Sequence, residues 1–87
     1  MKLTAELSVY PLREDYKVAV LSFIDELLKE QQVVAVTNSM STQVSGEDEA
    51  VFKAIQAALK ASYERFGRQV LVAKFIPEHF ADIGPEG

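Results

Sequence analysis

Residues 3–10 alternate, one residue at a time, between apolar and polar side chains. The apolar members are Leu3, Ala5, Leu7 and Val9. The polar members are Thr4, Glu6, Ser8 and Tyr10. A period of two predicts a strand with one face against a core and the other face turned away from it. Pro11 has no amide hydrogen for a β-ladder, so the strand is predicted to end there.

Two segments instead repeat their apolar residues at intervals of three and four, which indicates helices. The first follows the acidic residues Glu14 and Asp15, which suit a helix start, and its stripe is Tyr16, Val20, Phe23, Ile24 and Leu27. Ser45 and Asp48 have the spacing of a capping box, which predicts the start of the second helix. Its stripe is Val51, Ile55, Ala58, Leu59, Ser62 and Phe66, and Gly67 is suited to end it.

Three more strands are predicted, at residues 33–36, 40–44 and 70–76, the first two forming a hairpin around a polar corner. The order strand, helix, strand, strand, helix, strand predicts an α+β fold of the ferredoxin-like βαββαβ type. Its four-stranded antiparallel sheet would have the order 4-1-3-2, with both helices on one face. Residues 1–76 are predicted to form this domain and residues 77–87 a C-terminal extension.

Composition excludes several classes of function. The chain has 87 residues, no cysteine and a formal net charge of −4, so a redox centre and a nucleic-acid partner are both disfavoured. No apolar run reaches the roughly 18 residues of a membrane helix, and we expect a cytoplasmic protein. His79 is the one histidine. No catalytic triad, phosphate loop or metal site is predicted, and we expect no enzyme and no cofactor.

The face of the sheet away from the helices is predicted to be polar in its middle and apolar at the fourth strand, where both faces carry apolar residues. Such a strand is typical of a sheet covered on both sides. The cover that this chain can supply is a second copy of the same sheet, so we expect a homodimer or homotetramer.

The polar middle of that face has two interpretations. Its side chains could be paired by water or by the partner subunit, or they could form the floor of a pocket for a small polar heterocycle. The residues concerned are Glu6, Ser8, Tyr10, Ser41 and Gln43. For Glu6 the alternative is a surface ion pair with Lys74, and for Tyr10 it is packing at the end of a strand.

The chain also resembles the YkoF-like thiamine-binding domains in several short motifs. These are Glu6-Leu7-Ser8-Val9-Tyr10-Pro11-Leu12, Thr37-Asn38-Ser39-Met40-Ser41-Thr42 followed by Gly46, Val51-Phe52, and the apolar last strand. The resemblance implies binding of thiamine or its hydroxymethylpyrimidine part without catalysis, as a dimer or tetramer. It points to Ser8, Tyr10, Thr37, Asn38, Ser41 and Thr42 as pocket residues. The alternative function is a structural or regulatory domain that self-associates through its sheet and binds no thiamine.

Overall fold

Six elements follow one another in the predicted order. The computed structural model describes residues 1–38 and 41–78. The elements are β1 (Lys2–Pro11), α1 (Tyr16–Leu28), β2 (Val33–Thr37), β3 (Thr42–Glu47), α2 (Asp48–Phe66) and β4 (Gln69–Pro77). Neighbouring strands are antiparallel, and the sheet order is β2-β3-β1-β4. This is the predicted order 4-1-3-2 read from the opposite edge, so the ferredoxin-like α+β fold is confirmed.

The register of the strands separates the two faces of the sheet. Ala5 of β1 lies opposite Val44 of β3 and Phe75 of β4, and these residues belong to the face that the helices cover. The core formed there consists of Leu3, Ala5, Leu7, Phe23, Leu27, Val44, Val51, Ala54, Ile55 and Ala58. The other face, which we call the open face, carries the polar residues of β1, with Glu6 between Gln43 and Lys74. The alternation in residues 3–10 therefore predicted both faces correctly.

The capping box predicted for α2 is wrong. Ser45 lies within β3, where its hydroxyl bonds to that of Thr4 on β1, with 2.7 Å between the two oxygens. Helix α2 begins at Asp48, and Glu47 precedes it without a side-chain capping bond. The third strand therefore runs three residues beyond its predicted end at Val44, because pairing with β1 engages the backbone up to Glu47.

Helix α1 begins at Tyr16, directly after the two acidic residues as predicted, and its buried stripe differs from the prediction only in its first turn. Asp15 precedes the helix and pairs with the guanidinium of Arg13, which lowers the pKa of the Asp15 carboxyl. Tyr16 is exposed, whereas Ala19 is fully buried beside the sheet together with Phe23 and Leu27. A small side chain at position 19 brings the first turn close to the core, so the large ring at position 16 lies outside it.

The ends of α2 and β4 agree with the sequence to within a residue or two. Gly67 follows α2 at a φ of 84°, a conformation in which glycine avoids the strain of a side chain. Strand β4 ends at Pro77, one residue into the segment predicted as an extension. Residues 79–87, including His79, lie outside the described part of the chain. Neither α1 nor α2 combines the length and hydrophobicity that a membrane-spanning helix requires.

Candidate functional site

A cavity of about 140 Å³ lies at one end of the sheet, on the side that α1 covers. Its walls come from the last residues of β1, the hairpin between β2 and β3, and the first half of α1. The polar residues that line it are Ser8, Tyr10, Thr37, Asn38, Ser41 and Thr42. The apolar residues are Leu7, Val9, Val20, Phe23 and Ile24. One side of the cavity therefore offers hydroxyl and amide groups, and the other offers a hydrocarbon wall.

A pair of threonine hydroxyls contributes to the polar lining of this cavity, with Thr37 at its exposed side and Thr42 buried. Thr37 is the last residue of β2 and lies directly opposite Thr42, the first residue of β3. Their Oγ1 atoms are 2.9 Å apart, and either hydroxyl can donate the hydrogen bond. Thr42 is 5% exposed. Each hydroxyl has a second lone pair beyond this bond, so the pair can donate to or accept from a polar group placed in the cavity.

Asn38 and Ser41 close the hairpin at the mouth of the cavity. The amide of Asn38 donates to the carbonyl oxygen of Ser41 at 3.0 Å, and the amide of Ser41 donates to Oδ1 of Asn38 at 3.0 Å. The second bond ties the side chain of Asn38 to the backbone three residues further along the hairpin. The hairpin thereby holds its polar rim in place on both sides of residues 39 and 40, which lie outside the described part of the chain.

Glu6 and Gln43 lie on the open face, opposite each other on neighbouring strands. Oε2 of Glu6 accepts a hydrogen bond from the Ser41 hydroxyl at 3.1 Å, and Oε1 lies 3.8 Å from Nζ of Lys74. Both oxygens of this carboxylate thus have a partner within the chain. The ion pair with Lys74 is the alternative that the sequence left open for Glu6.

The predicted site residues therefore divide between two places. Six of the eight line the cavity, whereas Glu6 and Gln43 do not. The sequence predicted a pocket on the open face, and that remains a prediction; this cavity lies at the end of the sheet on the helix side. Strand parity accounts for the two threonines, which share the face of Ala35 and Val44. Ser8 and Tyr10 instead have the parity of Glu6 and reach the cavity at the end of β1, and the Ser41 hydroxyl bonds to Glu6.

The middle of the open face is filled by a hydrogen bond that sequence reasoning missed. Thr4 and Ser45 lie opposite each other, and both are buried, at 3% and 6% exposure. By register, Val34 flanks Ser45 and Ile76 flanks Thr4. This pairing within the sheet uses polar groups that the sequence left to water, a partner subunit or a ligand. A facing Thr and Ser at the same register is the signal that predicts it.

The apolar wall of the cavity was assigned to the core when only the sequence was considered. Val20, Phe23 and Ile24 follow the spacing of a buried helical stripe, and Phe23 is indeed buried at 1% exposure. Val20 and Ile24 are only half-buried because the cavity lies beside them. Periodicity alone does not tell a core contact from a cavity wall, since both require apolar side chains.

None of the described residues that line the cavity carries a charged side chain. In the described ranges, 1–38 and 41–78, no cluster of three or more His, Cys, Asp or Glu side chains could hold a metal ion. Arg13 is engaged elsewhere: its Nη1 donates to the carbonyl oxygen of Phe66 at 3.1 Å, and its guanidinium lies 5.1 Å from the centre of the Phe66 ring. The cavity offers neutral hydrogen-bonding groups, which suit binding and orientation.

Residues 2–75 match the YKOF-related family, a span that includes the first five elements of the fold and all but the last two residues of β4. The chain belongs to the YKOF-related family. No protein of curated function is significantly similar to it in sequence. Membership confirms the family that the strand and hairpin motifs of the sequence pointed to.

Several solved structures share this fold. A Streptococcus pneumoniae protein is 21% identical, with 95% of this chain and 93% of that one covered and a TM-score of 0.81. A hypothetical protein of Methanocaldococcus jannaschii is 24% identical, with coverages of 98% and 89% and a TM-score of 0.79. A candidate thiamine biosynthesis or salvage protein of Thermotoga maritima is 19% identical, with coverages of 86% and 82% and a TM-score of 0.75. At these identities the likeness establishes the fold.

Proposed function

We propose that this protein binds thiamine or its hydroxymethylpyrimidine part in the cavity at the end of the sheet, without transforming it chemically. The observation that carries the proposal is the convergence of six predicted site residues on one cavity with a hydroxyl pair on one side and a hydrocarbon wall on the other. Family membership supports it, as does the likeness to the Thermotoga maritima candidate thiamine protein.

The chemistry of an aminopyrimidine matches this lining. Its edge presents an amino donor and ring-nitrogen acceptors, and threonine hydroxyls can meet either kind of group. Its flat faces are apolar, and Phe23 and Ile24 offer the hydrocarbon surface that such a face requires. The ring could turn its polar edge towards Thr37 and Thr42 and one flat face towards α1. In that orientation both its hydrogen-bonding groups and its apolar surface would have partners.

The size of the cavity limits how much of the ligand enters it. Its volume of about 140 Å³ is well below the roughly 300 Å³ at which pockets begin to enclose a drug-sized ligand. A single ring fits this description better than two. The thiazolium of thiamine would then lie at the mouth, where the exposed ring of Tyr10 could attract the cation by roughly 0.5 to 2 kcal/mol.

A second copy of the chain is proposed to cover the open face, giving a dimer or a tetramer. The apolar side chains exposed on that face are Val34, Val36, Val70, Val72 and Ile76. They flank a middle strip in which Thr4 bonds to Ser45 and Glu6 bonds to Ser41. Since these bonds satisfy polar groups inside the chain, the face can be covered without leaving them unpaired. Association through this face needs no ligand.

Calorimetry with a pair of matched double variants tests the proposed site. For the unaltered protein we expect hydroxymethylpyrimidine and thiamine to raise the melting temperature, by a stabilisation of about 2.7 kcal/mol at 100 times the dissociation constant. Thr37→Val with Thr42→Val keeps the side-chain shape, removes both cavity hydroxyls and should abolish the shift. Thr4→Val with Ser45→Ala removes the other hydroxyl pair of the sheet and should leave the shift intact.

A further variant tests where the ligand sits. Gln43→Leu alters the open face, away from the cavity, and should leave the ligand-induced shift unchanged. If Gln43→Leu abolishes the shift and the threonine variant retains it, the ligand binds on the open face and the cavity assignment is overturned.

The alternative function, self-association without a thiamine ligand, is favoured by one observation. The apolar residues exposed on the open face would be needed for assembly whether or not a ligand binds. In that case neither compound should shift the melting temperature at millimolar concentration. The oligomer should also persist in the threonine double variant.

A further inference from the structure

Glu6 lies one hydrogen bond behind the rim of the cavity, although it does not line the cavity itself. Its Oε2 accepts a bond from the Ser41 hydroxyl at 3.1 Å, and Ser41 belongs to the mouth. A ligand atom in contact with the Ser41 oxygen would come within about 6 Å of the carboxylate, because two hydrogen-bond lengths of about 3 Å separate them. At that distance the carboxylate can act on a charge that it does not touch.

The mouth of the cavity opens on the same side of the sheet as Glu6. Ser8 and Tyr10 line the cavity and have the parity of Glu6 along β1. Ser41, the third polar residue on this side, is tied to Glu6 by the hydrogen bond. The Tyr10 ring is exposed. Any part of a ligand that extends out of the cavity past these residues would therefore approach the carboxylate of Glu6.

The cation that pairs with Glu6 lies on its far side. Lys74 is opposite Glu6 on β4, whereas Ser41 precedes β3, on the other side of β1. Nζ of Lys74 is 3.8 Å from Oε1 of Glu6, which is too long for a hydrogen bond. The Lys74 side chain is 74% exposed and that of Glu6 is 38% exposed, so the ammonium is the better hydrated charge. The pair thus presents its negative end to the cavity.

Basic side chains are absent from the described residues that line the cavity. Arg13 is engaged with the carboxylate of Asp15 and the carbonyl oxygen of Phe66. Lys17 lies beside the cavity, because it lines an outer groove of α1 together with Val20, which is also a cavity wall. The net charge of the chain is −4. The local carboxylate and the overall charge therefore both favour a cation at the mouth over an anion.

We propose that Glu6 makes the mouth selective for the charge of the ligand, so that the protein takes thiamine itself in preference to its phosphate esters. This inference rests on the proposed function and adds to it the chemical form of the ligand. The thiazolium of thiamine is a permanent cation. A phosphate ester adds about −1.5 to −2 charges near neutral pH, which makes the whole ligand anionic. Glu6 attracts the first and repels the second.

The size of the effect follows from the distance. Over about 6 Å a unit charge on the protein changes the affinity for a unit charge on the ligand by about threefold in bulk water and about tenfold where the surroundings are half as polarisable. Salt should remove most of this difference, because the screening length falls from about 30 Å at 0.01 M to about 3 Å at 1 M ionic strength.

Calorimetric titration of three ligands tests the selectivity. The ligands are hydroxymethylpyrimidine, which is uncharged, thiamine and thiamine monophosphate. Glu6→Gln removes the charge and keeps an oxygen that accepts the bond from Ser41. It should lower the preference for thiamine over hydroxymethylpyrimidine by about three- to tenfold, and the preference for thiamine over its monophosphate by at least as much. The affinity for hydroxymethylpyrimidine should stay unchanged.

Lys74→Met provides a variant with the opposite expected sign. Removal of this ammonium leaves the Glu6 carboxylate without its cation, so the preference for thiamine over hydroxymethylpyrimidine should rise, by up to about threefold. A purely structural role of the Glu6–Lys74 pair would not change the ratio in opposite directions in the two variants. Changes of the same sign overturn the proposal.

Two further measurements separate the charge of Glu6 from other causes. Glu49→Gln changes the net charge by the same amount at an exposed position in the first turn of α2, and it should leave the ratio unchanged. In the unaltered protein the preference for thiamine should shrink at 1 M salt, and in Glu6→Gln it should not. If Glu6→Gln instead weakens all three ligands equally and salt has no effect, Glu6 only holds the hairpin and the proposal is wrong.

The remaining outcomes distinguish this inference from the proposed function. If thiamine monophosphate binds more tightly than thiamine and Lys17→Met abolishes that advantage, the mouth selects a phosphate and the inference is overturned. If hydroxymethylpyrimidine and thiamine bind but their ratio is the same in Glu6→Gln and Lys74→Met, the inference alone fails and the proposed site stands. If neither compound binds the unaltered protein, both proposals fail together.

Discussion

The two ends of the sheet use polar side chains in opposite ways. At the charged end, Lys2 bonds to Glu47 at 2.9 Å, and Gly46 allows β3 to approach the backbone of Gln32 and Val33. At the cavity end, neutral hydroxyls of Thr37 and Thr42 face a space between strands and helix. The comparison teaches that a cavity arises here where the layers separate, and that ion pairs occupy the end where the chain packs closely.

The largest loss of stability is expected at the cavity end, from the substitution Phe23→Ala. Phe23 is both a wall of the cavity and a fully buried core residue. Its truncation should lower the free energy of unfolding by about 3 to 5 kcal/mol, measured by urea denaturation. Leu21→Ala, at an exposed position of the same helix, should change it by no more than about 0.5 kcal/mol. Equal effects of the two substitutions would contradict a packed wall.

The second largest loss of stability is expected at the charged end, from the substitution Gly46→Ala. A Cβ atom there would lie 2.9 Å from the carbonyl oxygen of Gln32 and 3.3 Å from Cγ1 of Val33. Relieving these contacts should cost about 1 to 3 kcal/mol of unfolding free energy. Val33→Ala removes only the side-chain contact, so the double variant should recover less than half of that cost. Full recovery would show that the close approach of position 46 to the carbonyl oxygen of Gln32 contributes nothing to the loss of stability.

A smaller effect is expected from the hydroxyl pair of the cavity. In urea denaturation, a double-mutant cycle of Thr37→Val and Thr42→Val should give a coupling of about 0.5 to 1.5 kcal/mol. The same cycle on Thr4 and Ser45, which are both buried, should give at least as much. A larger coupling at the cavity pair would mean that those hydroxyls contribute to stability more than to binding.

The smallest effect is the pH dependence of stability that the ion pairs at the charged end produce. The bond from Lys2, with help from the ammonium group of Met1, lowers the pKa of Glu47 below its ordinary value of 4.5. A lowered folded pKa means that the stabilisation is present above the ordinary value and is lost as the pH falls through the lowered one. The melting temperature should therefore fall slightly between about pH 5 and about pH 3. Thermal unfolding followed by circular dichroism should show that Glu47→Gln lacks this contribution to the fall in melting temperature.

Local patterns were sufficient to predict the architecture. The alternation from Leu3 to Val9 predicted which face of β1 is buried, and the helical stripes predicted Phe23, Leu27, Val51 and Ile55 as core. They succeeded because burial repeats with the period of the element. Sequence motifs also selected six residues that line a single cavity, whereas the pocket was predicted on the open face.

Where sequence reasoning failed, a distant partner decided the outcome. Ser45 has the spacing of a helix cap, yet it pairs with Thr4, which lies 41 residues away in the chain. Thr42 was predicted as a pocket residue from the family resemblance alone, and it is the pairing of β2 with β3 that sets it opposite Thr37 on the helix side. Local sequence could not reveal that β3 extends to Glu47, because strand length here depends on pairing with β1.

The sequence by itself determined the order of six elements, their buried faces and the family, since periodicity and short motifs are properties of neighbouring residues. Only the tertiary structure decided where the layers separate to leave a cavity and how Glu6 divides its oxygens between Ser41 and Lys74. It also decided which strands form the edges of the sheet. These outcomes depend on strand register. Register is set by contacts between residues far apart in the chain.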